Sequence, residues 1–243
     1  MNIKDAVRTF VIPDLHCPFH DPAAVELLIK IIRYKKPERI VFLGDAVTFD
    51  AVSSYLQNPD DDDNINHDLN TWHDIAKKIQ LASPNAERYF VSGNHEDRLR
   101  RYIWKNAPKI SSLVSLENVM QFNRFGIKFC GEKVFLDNFL FTHGSLVSPY
   151  SSYTAKREHD KHGCQGFSGH THRLGMSPRR LERGDETWYE CGCLCDLDPK
   201  YAIFPNWKLG WAVFTVTENI AHVDLIDIKK GYKVVMGDNI YSL

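Results

Sequence analysis

Gly93-Asn94-His95-Glu96 is the stretch that decides how this chain is read. It follows Arg88-Tyr89-Phe90-Val91, a short aromatic run that reads as a strand ended by Ser92-Gly93. Four more motifs stand just past strand-like runs: Asp14-Leu15-His16, Gly44-Asp45, His143-Gly144 and Gly169-His170-Thr171-His172. The C-terminal ends of strands are where α/β architectures place ligand chemistry. In an extended segment, side chains i and i+2 point to the same side. Asp14 and His16 are therefore expected to hold one ion together, with His170 and His172 completing the ligand sets. The glycines before Asp45, Asn94 and His170 permit tight turns and close backbone approach. Taken singly, each motif is ordinary: Gly-Asp is a turn, and a lone histidine is structural. Their conjunction points to a metal centre.

The front half alternates strands and helices. Thr9-Phe10-Val11-Ile12 is a strand ended by Pro13. Asp21 caps a helix with Pro22 at its first position. Val25, Leu28, Ile29 and Ile32 recur at helical spacing up to Pro37. Residues 39–43 read as a buried parallel strand. Residues 58–66, with Pro59 and the run Asp60 to Asp63, read as a solvated loop, because like charges repel. Helical periodicity resumes at Asp68 through Leu69, Trp72, Ile75, Ala76 and Ile79, and breaks at Pro84-Asn85. The back half is hairpin-like. Residues 133–136 and 139–141 flank Asp137-Asn138, and strand-like runs follow at 165–168, 187–195, 211–217, 222–228 and 232–235. Such a βαβα front with a hairpin back fits a two-sheet β core flanked by helices. No repeat or long linker divides the chain, so residues 1–243 are expected to form a single domain. Cys191, Cys193 and Cys195 are expected to share one strand face as buried small hydrophobes. A zinc site there lacks a second Cys or His pair at suitable spacing.

Composition excludes several function classes. Acids number 31 and bases 30, giving a net charge of −1. No global field draws in long nucleic acid or an anionic membrane. No run of 18 apolar residues is present to span a bilayer. Met1-Asn2-Ile3-Lys4-Asp5 lacks the apolar run of a signal peptide, so a cytoplasmic protein is expected. Six cysteines are too sparse for a disulfide scaffold.

The ordered set D-x-H, G-D, G-N-H-E, H and G-H-x-H resembles the calcineurin-like metallophosphoesterase superfamily. The matching motifs run from Asp14 to His172, about two thirds of the chain. The resemblance implies a four-layer αββα sandwich with two divalent metal ions at one edge. It implies Asp14, His16 and His172 on the first ion, Asn94, His143 and His170 on the second, and Asp45 bridging both. His95 is implied as the catalytic histidine facing the substrate. Two such ions clamp the attacking and leaving oxygens of an in-line displacement, and a bridging water becomes the hydroxide nucleophile. Two aspartates and that hydroxide leave the centre net positive towards phosphate. Imidazole-rich ligation favours manganese, iron, zinc, cobalt or nickel over calcium or magnesium, without choosing among them. Manganese is the expected metal, with iron, zinc, cobalt or nickel as alternatives.

An imidazolium at His95 can stabilise phosphoryl oxygens or protonate a leaving alkoxide. It needs a carboxylate to hold its tautomer, and Asp50 and Glu96 are the two nearby in sequence. The protein Ser/Thr phosphatase pattern G-D-x-V-D-R-G is missing from Gly44-Asp45-Ala46-Val47-Thr48-Phe49-Asp50, which argues against that branch. Arg98 falls on the first helical turn after Asn94 and can pair with a phosphate in bidentate fashion. Arg100 and Arg101 read as a solvated face. A base can stack on Phe49, Tyr55, Tyr102, Trp104, Tyr150 or Tyr153, although core filling is the plainer reading for Phe49 and Tyr102. Tyr153 lies in a polar, aromatic and basic segment with Tyr150, Lys156 and Arg157. The turn Gly-Asn-His-Glu-Asp-Arg resembles small phage and bacterial members, some of which are deoxynucleoside 5′-monophosphatases. The expectation is therefore a phosphomonoesterase of (deoxy)nucleoside 5′-monophosphates, in the host cytoplasm if phage-encoded. A phosphodiesterase or nuclease with the same centre is the enzymatic alternative. A metal-binding interaction module is the non-enzymatic one; its mark would be lost ligands, and all seven are present.

Overall fold

A computed structural model describes residues 6–55, 64–199, 203, 205–218 and 220–243. β1 (Val7–Ile12) runs through a six-stranded sheet. On one side it pairs in parallel with β2 (Arg39–Phe42), Phe10 opposite Ile40. Parallel β3 (Glu87–Phe90) and β4 (Ile127–Phe129) follow outward. On its other side lie antiparallel β10 (Gly210–Val216) and β11 (Ala221–Asp227). Parallel neighbours need long crossovers. α1 (Pro22–Lys35) and α2 (Ile65–Ala82) supply the first two, and α3 (Asn94–Asn106) with the short α4 (Leu116–Val119) lies between β3 and β4. Asp21 caps α1, its Oδ1 accepting from the Ala24 N–H at 2.9 Å, and Lys36 ends it in the left-handed region.

A second sheet has the order β5 (Lys133–Leu136), β6 (Phe139–Thr142), β7 (Gly166–Ser168), β9 (Gly184–Cys191) and β8 (Leu174–Leu181). α5 (Tyr153–His162) links β6 to β7. β12 (Lys233–Met236) and β13 (Asn239–Ser242) form a separate hairpin.

Strand alternation sorts the core into layers. Phe10 and Ile12 of β1 join Leu28, Ile32 and Trp72 beneath the helices. Val11 points the other way, into a seam between the sheets with Val41, Phe141, Phe167 and Phe214. Phe141 and Phe167 stack there with centroids 4.7 Å apart. Leu140, Ala155 and Trp188 pack under α5. Helices, sheet, sheet and α5 make the expected αββα sandwich.

Three local expectations need correction. Asp60 to Asp63 lie outside the described residues, but Asn64 caps α2, so helix begins inside the expected loop. The strand expected over 187–195 starts earlier and stops at Cys191, where Gly192 turns the chain with φ 79°. The three thiols therefore do not share one strand face. Cys191 enters the seam, while Cys193 and Cys195 form isolated bridges to Leu209 and His20. All three are buried.

Candidate metal centre

Every sequence motif lands at a strand end on one edge of the sandwich. Asp14, Asp45 and Asn94 follow β1, β2 and β3 of the first sheet. His143 and His170 follow β6 and β7 of the second. The side chains converge, but not through strand alternation. Asp14, His16, Asp45, His170 and His172 all have positive φ, between 26° and 67°. Left-handed backbone at non-glycine residues costs about 1 kcal/mol or more each and clusters at functional sites. Tight left-handed turns, rather than an extended i, i+2 pattern, aim these groups.

Two nooks form around Asp45. In one, His16 Nε2 lies 3.0 Å from His172 Nε2, and His172 Nε2 lies 3.3 Å from Asp14 Oδ1. In the other, His143 Nε2 lies 3.0 Å from Asn94 Oδ1, 3.1 Å from His170 Nδ1 and 3.2 Å from Asp45 Oδ2. Asp45 Oδ2 is also 3.7 Å from His16 Nε2. His143 Nδ1 donates to the Leu43 carbonyl at 2.8 Å, which leaves Nε2 as a lone pair. That lone pair faces two oxygens and another imidazole nitrogen. Such a set of acceptors is satisfied by a cation, so the residues fit a metal centre. A proton is the cation at hand. Burial works against charge on His143, but the Asp45 carboxylate outweighs it and pushes the imidazole up to about 10. His172 behaves alike, burial being overcome by its bond to Asp14, and is pushed up to about 10. Burial and His95 hold His16 well below its ordinary range, and burial and His143 lower His170. Asp45 is held well below the usual carboxylate range; burial opposes this, and His143 and His95 prevail.

The glycines sit where side chains have no room. A Cβ on Gly93 would fall 2.1 Å from Asp45 Oδ1, and one on Gly169 would fall 2.2 Å from Asp14 Oδ2. Both carboxylates rest directly on glycine backbone.

His95 adjoins the cluster, its ring centroid 4.5 Å from that of His16. Its Nδ1 lies 3.0 Å from the Thr48 carbonyl, which can only accept. Its Nε2 lies 3.0 Å from Arg98 Nη2, which can only donate. The imidazole is thus neutral, with its proton on Nδ1. Burial lowers its pKa, Asp45 opposes and Arg98 adds to the lowering. The carboxylates expected as its partners do other work. Asp50 pairs with Arg98, which also donates to the Thr48 carbonyl at 2.9 Å. Glu96 does not hold His95; it accepts from the N–H groups of Asp45, Ala46 and Gly93 at 2.8–2.9 Å. A backbone carbonyl replaces the expected carboxylate. Tyr153 opens α5, half-exposed, and no described contact joins its ring to the cluster.

The model of the calcineurin-like phosphoesterase family matches residues 7–201, which takes in both nooks and His95. The chain belongs to the calcineurin-like phosphoesterase family. Gene 54 protein of Mycobacterium phage L5 is 26% identical over 255 residues, covering 92% of this chain and 94% of that protein. Among solved structures, Vacuolar Protein Sorting 29 from Cryptosporidium parvum matches with TM-score 0.54 and 13% identity, over 99% of this chain and 100% of that one. Vps29 from Chaetomium thermophilum gives 0.53 and 12%, over 97% and 98%. These two likenesses concern the fold. Divalent metal binding is usual in the calcineurin-like phosphoesterase family, and the described residues include three candidate metal-holding groups. One of them joins Cys195 to His16 and His172.

This family member braces its motif loops with buried carboxylates that sequence reasoning missed or misplaced. Glu96 holds the Asp45 turn. Glu158 of α5 accepts from Ser145 and Leu146 N–H at 2.8 and 2.9 Å, holding the loop after His143. Glu190 of β9 accepts from the Thr171 hydroxyl at 2.7 Å, between His170 and His172. Asp68 of α2 accepts from Phe49 N–H at 3.0 Å. Cys195 Sγ lies 3.8 Å from His172 Nδ1, and the Trp207 ring lies edge-on to His172 at 4.3 Å. Glu158, Glu190 and Asp68 stand 12 to 19 residues from the groups they hold, so no short motif announces them. Glu96 stands inside the Gly93-Asn94-His95-Glu96 motif, but its partners Asp45 and Ala46 are about 50 residues away.

Proposed function

We propose that this protein is a metal-dependent phosphomonoesterase acting on (deoxy)nucleoside 5′-monophosphates. The observation that carries the reading is the pair of acceptor-lined nooks sharing Asp45, set beside the Arg98 guanidinium. Asp14, His16 and His172 would hold one divalent ion and Asn94, His143 and His170 the other, with Asp45 common to both. Manganese is the metal expected there. Bound ions supply Lewis acidity at phosphorus and a stronger nucleophile from water.

The chain's own residues position the substrate. Arg98, on the first turn of α3, offers charge-assisted hydrogen bonds to phosphoryl oxygens. The N-terminus of α3 favours negative charge at the same place. A monoester dianion suits this fixed positive charge better than a diester monoanion. When Arg98 turns to the phosphate, His95 Nε2 is released to face the ester oxygen. A proton taken up there can pass to the leaving alkoxide, while Thr48 keeps Nδ1–H in place.

The test is the manganese-loaded protein assayed on p-nitrophenyl phosphate, bis-p-nitrophenyl phosphate, a nucleotide panel and single-stranded DNA. Fastest turnover of 5′-monophosphates, lost on chelation and restored by manganese, is the expected result. Faster cleavage of the diester or DNA would replace the reading with a phosphodiesterase. Stoichiometric metal binding without turnover of any ester would leave an interaction module.

A further inference from the structure

Among the described residues, the ring contacts of the donor histidines include none of the aromatic groups suggested by sequence. Phe49 is fully buried, and Tyr55 and Tyr150 are exposed. Trp104 lies along α3 under Arg100, whose guanidinium carbon is 4.8 Å from the ring centroid. The indole that does reach a metal-donor side chain is Trp207. Four rings stand in a row: His95 to His16 at 4.5 Å, His16 to His172 at 4.9 Å, and His172 to Trp207 at 4.3 Å. His172 is only 6% exposed, whereas Trp207 is partly exposed, so the row reaches solvent at the indole. The backbone fixes it there. Lys208 N–H donates to the His172 carbonyl at 2.8 Å, and Cys193 N–H donates to the Lys208 carbonyl at 3.0 Å.

We infer that Trp207 is the stacking platform for the base of a nucleoside 5′-monophosphate whose phosphate sits at the metal donors, an inference that rests on the phosphomonoesterase reading. The phosphate binds beside His172, and the sugar spans the short step from that imidazole to the indole. Every nucleobase has a π-face, so a stacking platform admits all of them and separates nucleotides from base-free phosphates. Arg98, at the far end of the row beyond His95, holds the phosphate from the other side.

A matched pair of substrates isolates this role. Deoxyadenosine 5′-monophosphate and 2-deoxyribose 5-phosphate carry the same phosphate ester and differ in the base. Trp207→Ala, and Trp207→Leu to keep bulk without the π-face, are compared with wild type as manganese-loaded full chains. Metal content, kcat, KM and the calorimetric Kd of each compound are measured. Stacking on an aromatic is worth enough that KM and Kd for the nucleotide should rise about tenfold. The sugar phosphate, kcat and metal content should stay near wild type. Equal losses on both compounds with reduced metal content would overturn the inference, leaving Trp207 as packing for His172. Unchanged values for both would overturn it too. If wild type hydrolyses neither compound, the phosphatase reading fails alone, and calorimetry still decides. Tighter wild-type binding of the nucleotide than of the sugar phosphate, lost in both variants, sustains the platform; equal binding ends it.

Discussion

At the scale of single residues, the tautomer of His95 sets what the site does first. Its resting imidazole is neutral and capped by Arg98, so acid catalysis requires substrate to displace that cap. His95→Asn should leave metal content intact and lower kcat about 10²- to 10⁴-fold on a 5′-nucleotide, whose alkoxide needs a proton. The loss should be smaller with p-nitrophenyl phosphate, because p-nitrophenolate departs unprotonated. Equal losses on both would reject the acid role. Gly169 makes a second demand. With Asp14 Oδ2 lying 2.2 Å from where a Cβ would stand, Gly169→Ala must push the carboxylate off its position. Manganese affinity measured by calorimetry should fall at least tenfold while far-ultraviolet circular dichroism is kept.

At the scale of elements, three buried glutamates on α3, α5 and β9 pin three motif loops. Burial raises the pKa of Glu190 above the ordinary 4.5. Below that value the carboxyl is neutral in both folded and unfolded chains and carries no penalty. As pH rises through 4.5 the unfolded chain ionises first, so the wild type loses stability until the folded carboxyl also ionises. Glu190→Gln fits the same partners, accepting from Ser152 N–H and donating to the Thr171 hydroxyl, and does not titrate. Melting temperatures of the two proteins should agree near pH 4 and separate in favour of the variant as pH rises. A constant gap across pH would refute the assignment. The helices and strands legible in sequence were those with apolar periodicity, such as α1, or a continuous apolar run, such as β2. α5 was not, because its inward face is Thr154, Ala155, Glu158 and His159, a polar set with no hydrophobic signal. β8 carries no such signal because it is an edge strand with no buried residue, carrying Pro178, Arg179 and Arg180. An edge tolerates proline that a central strand would reject. The donor residues were legible because their types and order are local. Of their braces, Glu96 was legible as a motif residue but not its partners Asp45 and Ala46. Glu158, Glu190, Asp68 and Trp207 were not legible, because packing alone brings them near.

At the scale of the whole molecule, each nook draws donors from both sheets. Asp14, His16, Asp45 and Asn94 come from the first, and His143, His170 and His172 from the second. Ions seated there would span the seam and stabilise the native state by mass action. Manganese at a hundredfold its Kd contributes about 2.7 kcal/mol per site, which for a chain of this size raises Tm by about 5–10 °C. Chelation should reverse the shift, and differential scanning calorimetry checks it; a Tm indifferent to manganese would show that the ions bind elsewhere or not at all.

Linkage of this kind runs in both directions. Phe214 sits in the seam, its ring 4.6 Å from Phe139. Phe214→Ala removes a buried aromatic and loosens the register between the two sheets, typically at a cost of about 3–5 kcal/mol. The manganese affinity of that variant should drop although no ligand has changed, and a titration against wild type would show it. The buried aromatic seam would thus act as a tuning element, giving hydrophobic substitutions a way to adjust how tightly the cations are kept.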